Sequence, residues 1–558
     1  MDKSTVRLWP CWEPLAVGVL PVPPAKLGIR YLRKVSAYLW ARAQDGVLPR
    51  LTWSLWRRVA CAKLQLPEHT AWVYFEVFDS LSPEFTVTDR LERAEQLSQC
   101  SNERELEAKR AMLSVDTLTF LLFLLVQQTQ RVSLRSSLHK DDSWPDQGPS
   151  MPDDDRLVTQ NKVLDDRHHL SFILSSFSEA LRLLLPPDET SLDGLAPVAC
   201  LSHQAVKALD LLVEGRASPM KNVLGLSILA ALPGQRDSSG WLGPSQGFAA
   251  KSLEFWTRSR LGANPCSLSS CVQYGRQLSW AEHGRGTTKQ VRVAFCSHSG
   301  SKVLLLSDLS GQTVARSSAR LTGAHVVLHR CSSAYIYLLS PMRSVTLNRC
   351  RRLQLVLGPV ETSVRLCGCR EVTVAAACRR LGIISSSSCT LHLLTPSRPL
   401  VFTGNEGLKF APLHVYYPLL EEHMAYCGLA SIPNLWDKPL CFGIDKCSHS
   451  ESGTKCQPMP YGLLPPDDLH PLSVPFAMSG LTSEIPGGLP KIYQKALDRR
   501  QRRIQSWEGL VREAKLTREQ RTALKDSVEQ TFYTWLQKMG FKQQLDSLLA
   551  SGAPADKT

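Results

Sequence analysis

Residues 323–412 read GAHVVLHRCSSAYIYLLSPMRSVTLNRCRRLQLVLGPVETSVRLCGCREVTVAAACRRLGIISSSSCTLHLLTPSRPLVFTGNEGLKFAP, and laid against itself this stretch repeats. The copies are VVLHRC (326–331), VTLNRC (345–350), VRLCGC (364–369), IISSSSC (383–389) and LVFTGN (400–405). Cys331, Cys350, Cys369 and Cys389 stand 19, 19 and 20 residues apart, and Asn405 takes the same place in a shorter fifth copy. Val326, Val345, Val364, Ile384 and Leu400 lie five residues before these positions, and Leu328, Leu347, Leu366, Ser386 and Phe402 three before. After each Cys comes a second alternating pair: Ala334 and Ile336, Leu353 and Leu355, Val372 and Val374, then Leu408 and Phe410 after Asn405.

A period near 19 with short alternating strands is the mark of stacked coils. Alternation of period 2 puts Val345 and Leu347 on one face of a strand and Thr346 and Asn348 on the other. A single copy cannot bury its apolar face, so each must stack it on the next, giving a β-helix with Cys331, Cys350, Cys369, Cys389 and Asn405 as an internal ladder. Rungs about 4.8 Å apart fall within the spacing a disulfide needs. The reading taken is nevertheless of small buried thiols filling a corner, with no redox or metal role.

The chain has 558 residues, more than one core normally holds. Its net charge of +14 is a moderate bias over that length and only weakly suggests nucleic acid or an acidic partner. The start, MDKSTVRLWP, has no long apolar segment of the secretory kind. The longest apolar run, Leu118 to Val126 with Thr119 inside it, is far short of the ~20 residues that span a bilayer. Seventeen cysteines without a secretory signal suggest reduced thiols in the cytoplasm.

Residues 1–260 read as an α-helical N-terminal domain. Leu32, Val35, Leu39 and Trp40 recur at helical spacing, as do Leu55, Trp56, Val59 and Ala60. Further helices are expected at Leu170 to Leu185 and around Phe120. Ser202 is placed to cap a helix over His203 to Glu214, closed by Gly215. Residues 133–155 are polar and punctuated by proline, and read as a flexible linker. Trp40, Trp53, Trp56 and Trp72 read as core aromatics rather than a docking surface. Residues 261–322 lead into the coil, with Val291, Val293 and Phe295, then Val303 and Leu305, alternating.

Beyond the β-helix, residues 436–490 read as a loop region rich in Pro and Gly. Cys441, Cys447, His449 and Cys456 there fit no common zinc spacing, so no metal is expected. Residues 491–552 read as C-terminal helices. Tyr493, Leu497, Arg500, Ile504, Trp507 and Val511 form one stripe, and Thr517 with Gln520 fits a capping box for a helix through Leu524, Val528, Phe532 and Leu536 to Gly540. Arg499, Arg500, Arg502 and Arg503 suit the solvated face of a helix, or else a nuclear signal, a nucleic-acid contact or a tubulin-facing patch. A β-helix leaves unpaired strand edges at its ends, which flanking helices can cover.

The segments GPVETSVRLCGCREVTVAAACRRLGIISSSS (358–388) and GLKFAPLHVYYP (407–418) resemble the C-CAP or cofactor C-like domain. That domain occurs in tubulin-folding cofactor C, in the X-linked retinitis pigmentosa protein of that family and, more distantly, in cyclase-associated proteins. The resemblance covers residues 285–435 and implies a right-handed parallel β-helix. Members that activate GTPases carry Cys-Gln-Gln-Leu-Arg where this chain has Cys378, Arg379, Arg380, Leu381 and Gly382. Their arginine is a finger that neutralises charge on the transferring phosphoryl group, worth about 10³–10⁵ in rate.

The resemblance thus puts Gly382 at the finger position and leaves no catalytic residue. Arg380, two residues away, shares the face of Gly382 at a displacement of about 6–7 Å, large where about 1 Å of misplacement costs 10²-fold. Arg379 and Arg380 are the partner-binding candidates. No nucleotide-binding, metalloprotease or serine-hydrolase motif occurs, and Ser385 to Ser388 read as turn filler.

Two functions follow from the resemblance. One is a non-enzymatic scaffold, without cofactor or nucleic acid, that binds a cytoskeletal or GTPase-like partner and centrosomal proteins. That role would place it in the cytoplasm and cytoskeleton, at the centrosome and spindle pole, bearing on Golgi position, cell shape and cell migration. The other is a GTPase-activating protein for tubulin or a related small G protein, using Arg380 or Arg379.

Overall fold

The computed structural model describes the chain except residues 1–5, 17, 45, 83, 101, 130–153, 188–189, 192–193, 196–198, 218–221, 245, 266, 269, 272–275, 278–291, 299–300, 444–458, 473, 475–484, 540–541 and 543–558. The expected linker thus lies almost wholly outside the described residues, as do Val291, Cys447, His449, Cys456 and Gly540. Contacts divide the chain into one unit of Met1–Glu84, Cys100–Gly275 and Cys296–Ser301 and another of Phe85–Gln99, Arg276–Phe295 and Lys302–Thr558.

The first unit is mainly helical. Helix Ile29–Trp40 buries Leu32, Val35 and Leu39. Thr52 accepts from the Leu55 N–H and caps Trp53–Arg58, which widens into a π turn at Val59–Lys63. Thr117–Val126 buries every residue but Thr119, and Asp116 caps it. The stretch from Leu170 ends the long helix Asp154–Leu184. Trp53 meets Trp72 edge-on at 4.9 Å and Trp56 meets Phe120 at 4.8 Å, so Trp53 and Trp56 pack as core aromatics, while Trp40 and Trp72 are half-buried.

One helix is shorter than expected. Ser202 does cap it, but it stops at Ala208, and Gly215 lies inside the strand Val213–Arg216. That strand pairs antiparallel with Arg7–Pro10, Leu8 facing Gly215. A Cβ at 215 would come within 2.2 Å of the Arg7 carbonyl oxygen. The glycine therefore permits close backbone approach rather than ending a helix.

The second unit contains a parallel β-solenoid. One stack runs through Ser301–Ser307, His325–His329, Met342–Asn348, Val360–Cys367, Leu381–Ile384, Leu400–Val401 and Leu440–Cys441. The other runs through Thr313–Arg316, Tyr335–Leu338, Gln354–Leu357, Thr373–Ala377, Thr390–Leu394, Leu408–Pro412 and Tyr461–Leu463. The strands at 440 and 461 come from what the sequence suggests is loop.

Inside, Leu306, Leu328, Leu347, Leu366, Ile383 and Val401 form one ladder. Val314, Ile336, Leu355, Val374, Leu391 and Phe410 form another. All are at most 1% exposed, so the apolar face of each strand is buried by the next coil. At the entry, Leu304 and Leu306, rather than Val303 and Leu305, join this core.

The coils turn at a four-residue corner whose first and last positions are left-handed. Arg330, Arg349, Gly368, Ser385 and Gly404 hold the first; Ser333, Arg352, Glu371, Ser388 and Gly407 hold the last. Between them, Ser332, Arg351, Arg370, Ser387 and Glu406 bridge in register. The residue before each bridge therefore forms the inner column: Cys331, Cys350, Cys369, Ser386 and Asn405.

Cys389 is not in that column. It stacks with Val372 and Leu408, one residue before the paired Thr373, Thr390 and Lys409. The cause is a coil two residues short. From Val356 to Val364 is eight residues, whereas from their partners Ala375 to Leu381 is six. In consequence Leu381 and Ile383, not Ile384 and Ser386, take the inward strand places of Val364 and Leu366, and Ser386 takes the corner place of Cys369. The Ser run is turn-forming, with Ser385 and Ser388 at φ 48° and 53°.

At the far end, Tyr493 of helix Lys491–Glu513 is 2% exposed. Its hydroxyl donates to the Leu464 carbonyl at 2.6 Å, and its ring meets Trp436 edge-on at 5.8 Å. The helix thus closes the last coil, while Ile504 and Trp507 farther along are exposed. Thr517 and Gln520 form the expected capping box for Arg518–Met539. Among the described residues no helix is long and apolar enough to cross a membrane.

Candidate functional site

The shortened coil places the stretch Cys378 to Gly382 at the corner between strands Thr373–Ala377 and Leu381–Ile384. Leu381 and Ile383 point inward, so Arg380 and Gly382 share the outward face.

Cys378 bridges to Val360 and is fully buried. Burial pushes its thiol up to about 12, so it is a protonated core side chain rather than a nucleophile. Burial likewise raises Cys389, to about 11. The Cys331, Cys350 and Cys369 thiols each donate to backbone carbonyls of their own and the preceding coil. Asn405 does more at the same place: its Oδ1 accepts from the Ser386 N–H at 2.8 Å, and its Nδ2 donates to the Ile383 and Phe402 carbonyls.

Arg379 is a tie across the corner. Its Nε donates to the Glu361 carbonyl at 2.9 Å, and one terminal nitrogen donates to the Cys427 and Gly428 carbonyls at 3.0 and 3.1 Å. Those two carbonyls end helix Leu420–Tyr426, which closes at Gly428 in a left-handed turn, φ 61°. A cation at the negative end of a helix is favourable. The Arg379 carbonyl in turn accepts from the Ser397 and Thr395 hydroxyls at 2.6 and 3.3 Å. Beside it, Arg343 and Glu361 form an ion pair at 2.5 Å.

Arg380 is only 7% exposed, and its carbonyl accepts from the Val364 N–H at 2.9 Å. It follows an outward yet buried polar row, His325, Ser344 and Ser363, in which His325 Nδ1 lies 2.7 Å from the Ser344 hydroxyl.

Gly382 lies between Arg365 and Leu400 in register. Its φ is not in the left-handed region, and an added Cβ would meet only Phe402 Cε2, at an ordinary 3.6 Å. The Phe402 ring stacks on Phe442 at 5.5 Å. Arg365, half-buried and one rung from Gly382, is closer to it by register than Arg380 is along the strand. The sequence holds no sign of this, because Arg365 sits in an ordinary VRL copy and only the short coil sets it beside Gly382.

The corner therefore holds no activated nucleophile. Among the described residues no group of three His, Cys, Asp or Glu side chains is placed to hold a metal ion. It offers guanidinium groups set in backbone, an arrangement suited to recognition.

The model of the family described as tubulin binding cofactor C matches residues 323–441. Among the curated relatives named TBCC domain-containing protein 1 are a rat, a human and a zebrafish protein. The rat protein is 44% identical over 565 residues, covering 100% of this chain and 97% of its own. The human protein is 44% identical, covering 99% of each. The zebrafish protein is 43% identical, covering 98% of this chain and 94% of its own.

Proposed function

Because the chain belongs to the family of TBCC domain-containing protein 1, we propose that it is a non-enzymatic scaffold binding a cytoskeletal or GTPase-like partner, tubulin or a small G protein, through its cofactor C-like solenoid. On this reading it works with centrosomal proteins in the cytoplasm, at the centrosome and spindle pole, in positioning the centrosome and Golgi and in cell shape. The observation that carries the non-enzymatic part is the corner itself. By the resemblance Gly382 takes the place of the finger of activating relatives, and Arg379, three residues before it, is tied to three carbonyls. A finger must be free to reach a phosphoryl group and fixed at the right place when it does.

The second reading, GTPase activation through Arg380 or Arg379, is favoured by one observation: Arg380 shares the outward face of Gly382. Titrating GTP-loaded tubulin or a small G protein with the full chain separates the two. Saturable complex formation with an unchanged hydrolysis rate supports the scaffold; no complex with either sinks it.

A further inference from the structure

A second group of arginines lies at the four-residue corners of the solenoid. Successive corners read Asp308 to Gly311, Arg330 to Ser333, Arg349 to Arg352, Gly368 to Glu371, Ser385 to Ser388 and Gly404 to Gly407. Cations occur only in the second, third and fourth of these six. Arg351 and Arg370 bridge directly in register, Arg349 and Arg352 flank Arg351, and Arg330 stands one coil earlier beside Arg349. Arg349, Arg351, Arg352 and Arg370 are exposed. With rungs about 4.8 Å apart, five guanidinium groups occupy a patch about 10 Å long. One carboxylate lies within it, Glu371, at 3.3 Å from Arg370 Nε.

The fold does not require these arginines. Arg330, Arg349 and Arg352 sit at φ 53°, 53° and 47°, a region that L residues enter at a cost. Other coils put Gly368, Gly404, Gly311 and Gly407 at the equivalent places. The bridging row likewise accepts Ser310, Ser332 and Ser387. Strained positions occupied by clustered like charges, where glycine and serine serve elsewhere, indicate a surface kept for a ligand.

We propose that this corner binds an acidic peptide segment of a protein partner. Guanidinium forks match carboxylates in bidentate pairs, and about four residues of extended chain, rising roughly 3.4 Å each, cover the patch. A nucleic-acid strand fits less well, since the corner positions include no aromatic residue on which a base could stack.

The test is binding of a fluorescein-labelled hexaglutamate peptide to the full chain, read by anisotropy at low salt. The quadruple variant R349G/R351S/R352G/R370S uses only residues found at the same corner positions in other coils. It is expected to weaken binding about tenfold or more and to flatten its salt dependence. The milder pair R349G/R352G removes two strained arginines, so it should melt no lower than wild type and still weaken binding. R499S/R502S/R503S, which neutralises the other basic cluster, should leave the affinity unchanged. Equal binding by wild type and both corner variants overturns the proposal, as does loss confined to the R499S/R502S/R503S protein. Single-stranded RNA of equal charge bound as tightly, with the same loss in the quadruple variant, also overturns it and shows a site for nucleic acid.

Discussion

The Arg379 guanidinium donates to the Gly428 carbonyl at 3.1 Å, tying the shortened corner of the solenoid to the end of helix Leu420–Tyr426. Arg379→Gln removes this bond together with those to Cys427 and Glu361. Charge-assisted hydrogen bonds contribute about 1.5–3 kcal/mol each, so a loss of at least about 2 kcal/mol is expected in denaturant unfolding. Arg379→Lys should not restore it, because an ammonium cannot reproduce the planar fork. Full rescue by lysine would show that charge alone matters there.

Leu347 is 0% exposed between Leu328 and Leu366, whereas the neighbouring Asn348 is half-buried on the other face. Leu347→Asp buries an unpaired charge, at a cost of several kcal/mol, and should prevent stable folding of the solenoid. Asn348→Asp should change stability by about 0.5 kcal/mol or less. Thermal melts compare them, and equal melting temperatures would show that the register is wrong.

Ser386 is 1% exposed; its hydroxyl accepts from the Cys369 N–H at 3.1 Å and donates to the Ile384 carbonyl. Ser386→Ala strands a buried N–H, for about 1–3 kcal/mol. Cys389→Ala loses only a small apolar group and two weak thiol hydrogen bonds, at 3.8 and 3.3 Å, in a column where Ala334 and Leu353 precede Val372. It should cost less than Ser386→Ala. The reverse order in melting would put Cys389 back in the thiol column.

That pair shows how far the sequence could be read. Three copies with Cys331, Cys350 and Cys369 at one spacing, each with two apolar residues before it, determine a solenoid and its inward face. The fourth copy misleads because cysteine is a more conspicuous marker than serine, and two residues are missing just before Leu381. Alignment on Cys389 conceals the deletion; backbone pairing reveals it. The tie from Arg379 to Cys427 and Gly428, and the place of Arg365 beside Gly382, depend on contacts between coils and residues far apart in sequence. Periodicity carries no information about either.

Tyr493 fills the end of the solenoid, and Ile504, eleven residues along the same stripe, is 44% exposed. Tyr493→Ala should cost about 3–5 kcal/mol, as for other buried aromatics, while Ile504→Ala stays within about 0.5 kcal/mol. Unfolding in urea distinguishes them. A silent Tyr493→Ala would mean that the helix is not part of the coil's closure.

The central claim, a cofactor C-like corner without a working finger, is tested most directly by single-turnover GTP hydrolysis on a bound GTP-loaded partner. Wild type, Arg380→Ala, Arg365→Ala and Gly382→Arg would be compared side by side. The account predicts no acceleration by the first three. Gly382→Arg has room for its Cβ and should gain measurable acceleration, some fraction of the about 10³–10⁵ a finger supplies. Acceleration by the wild-type chain that disappears in Arg380→Ala or Arg365→Ala would contradict the account and make that arginine a displaced finger.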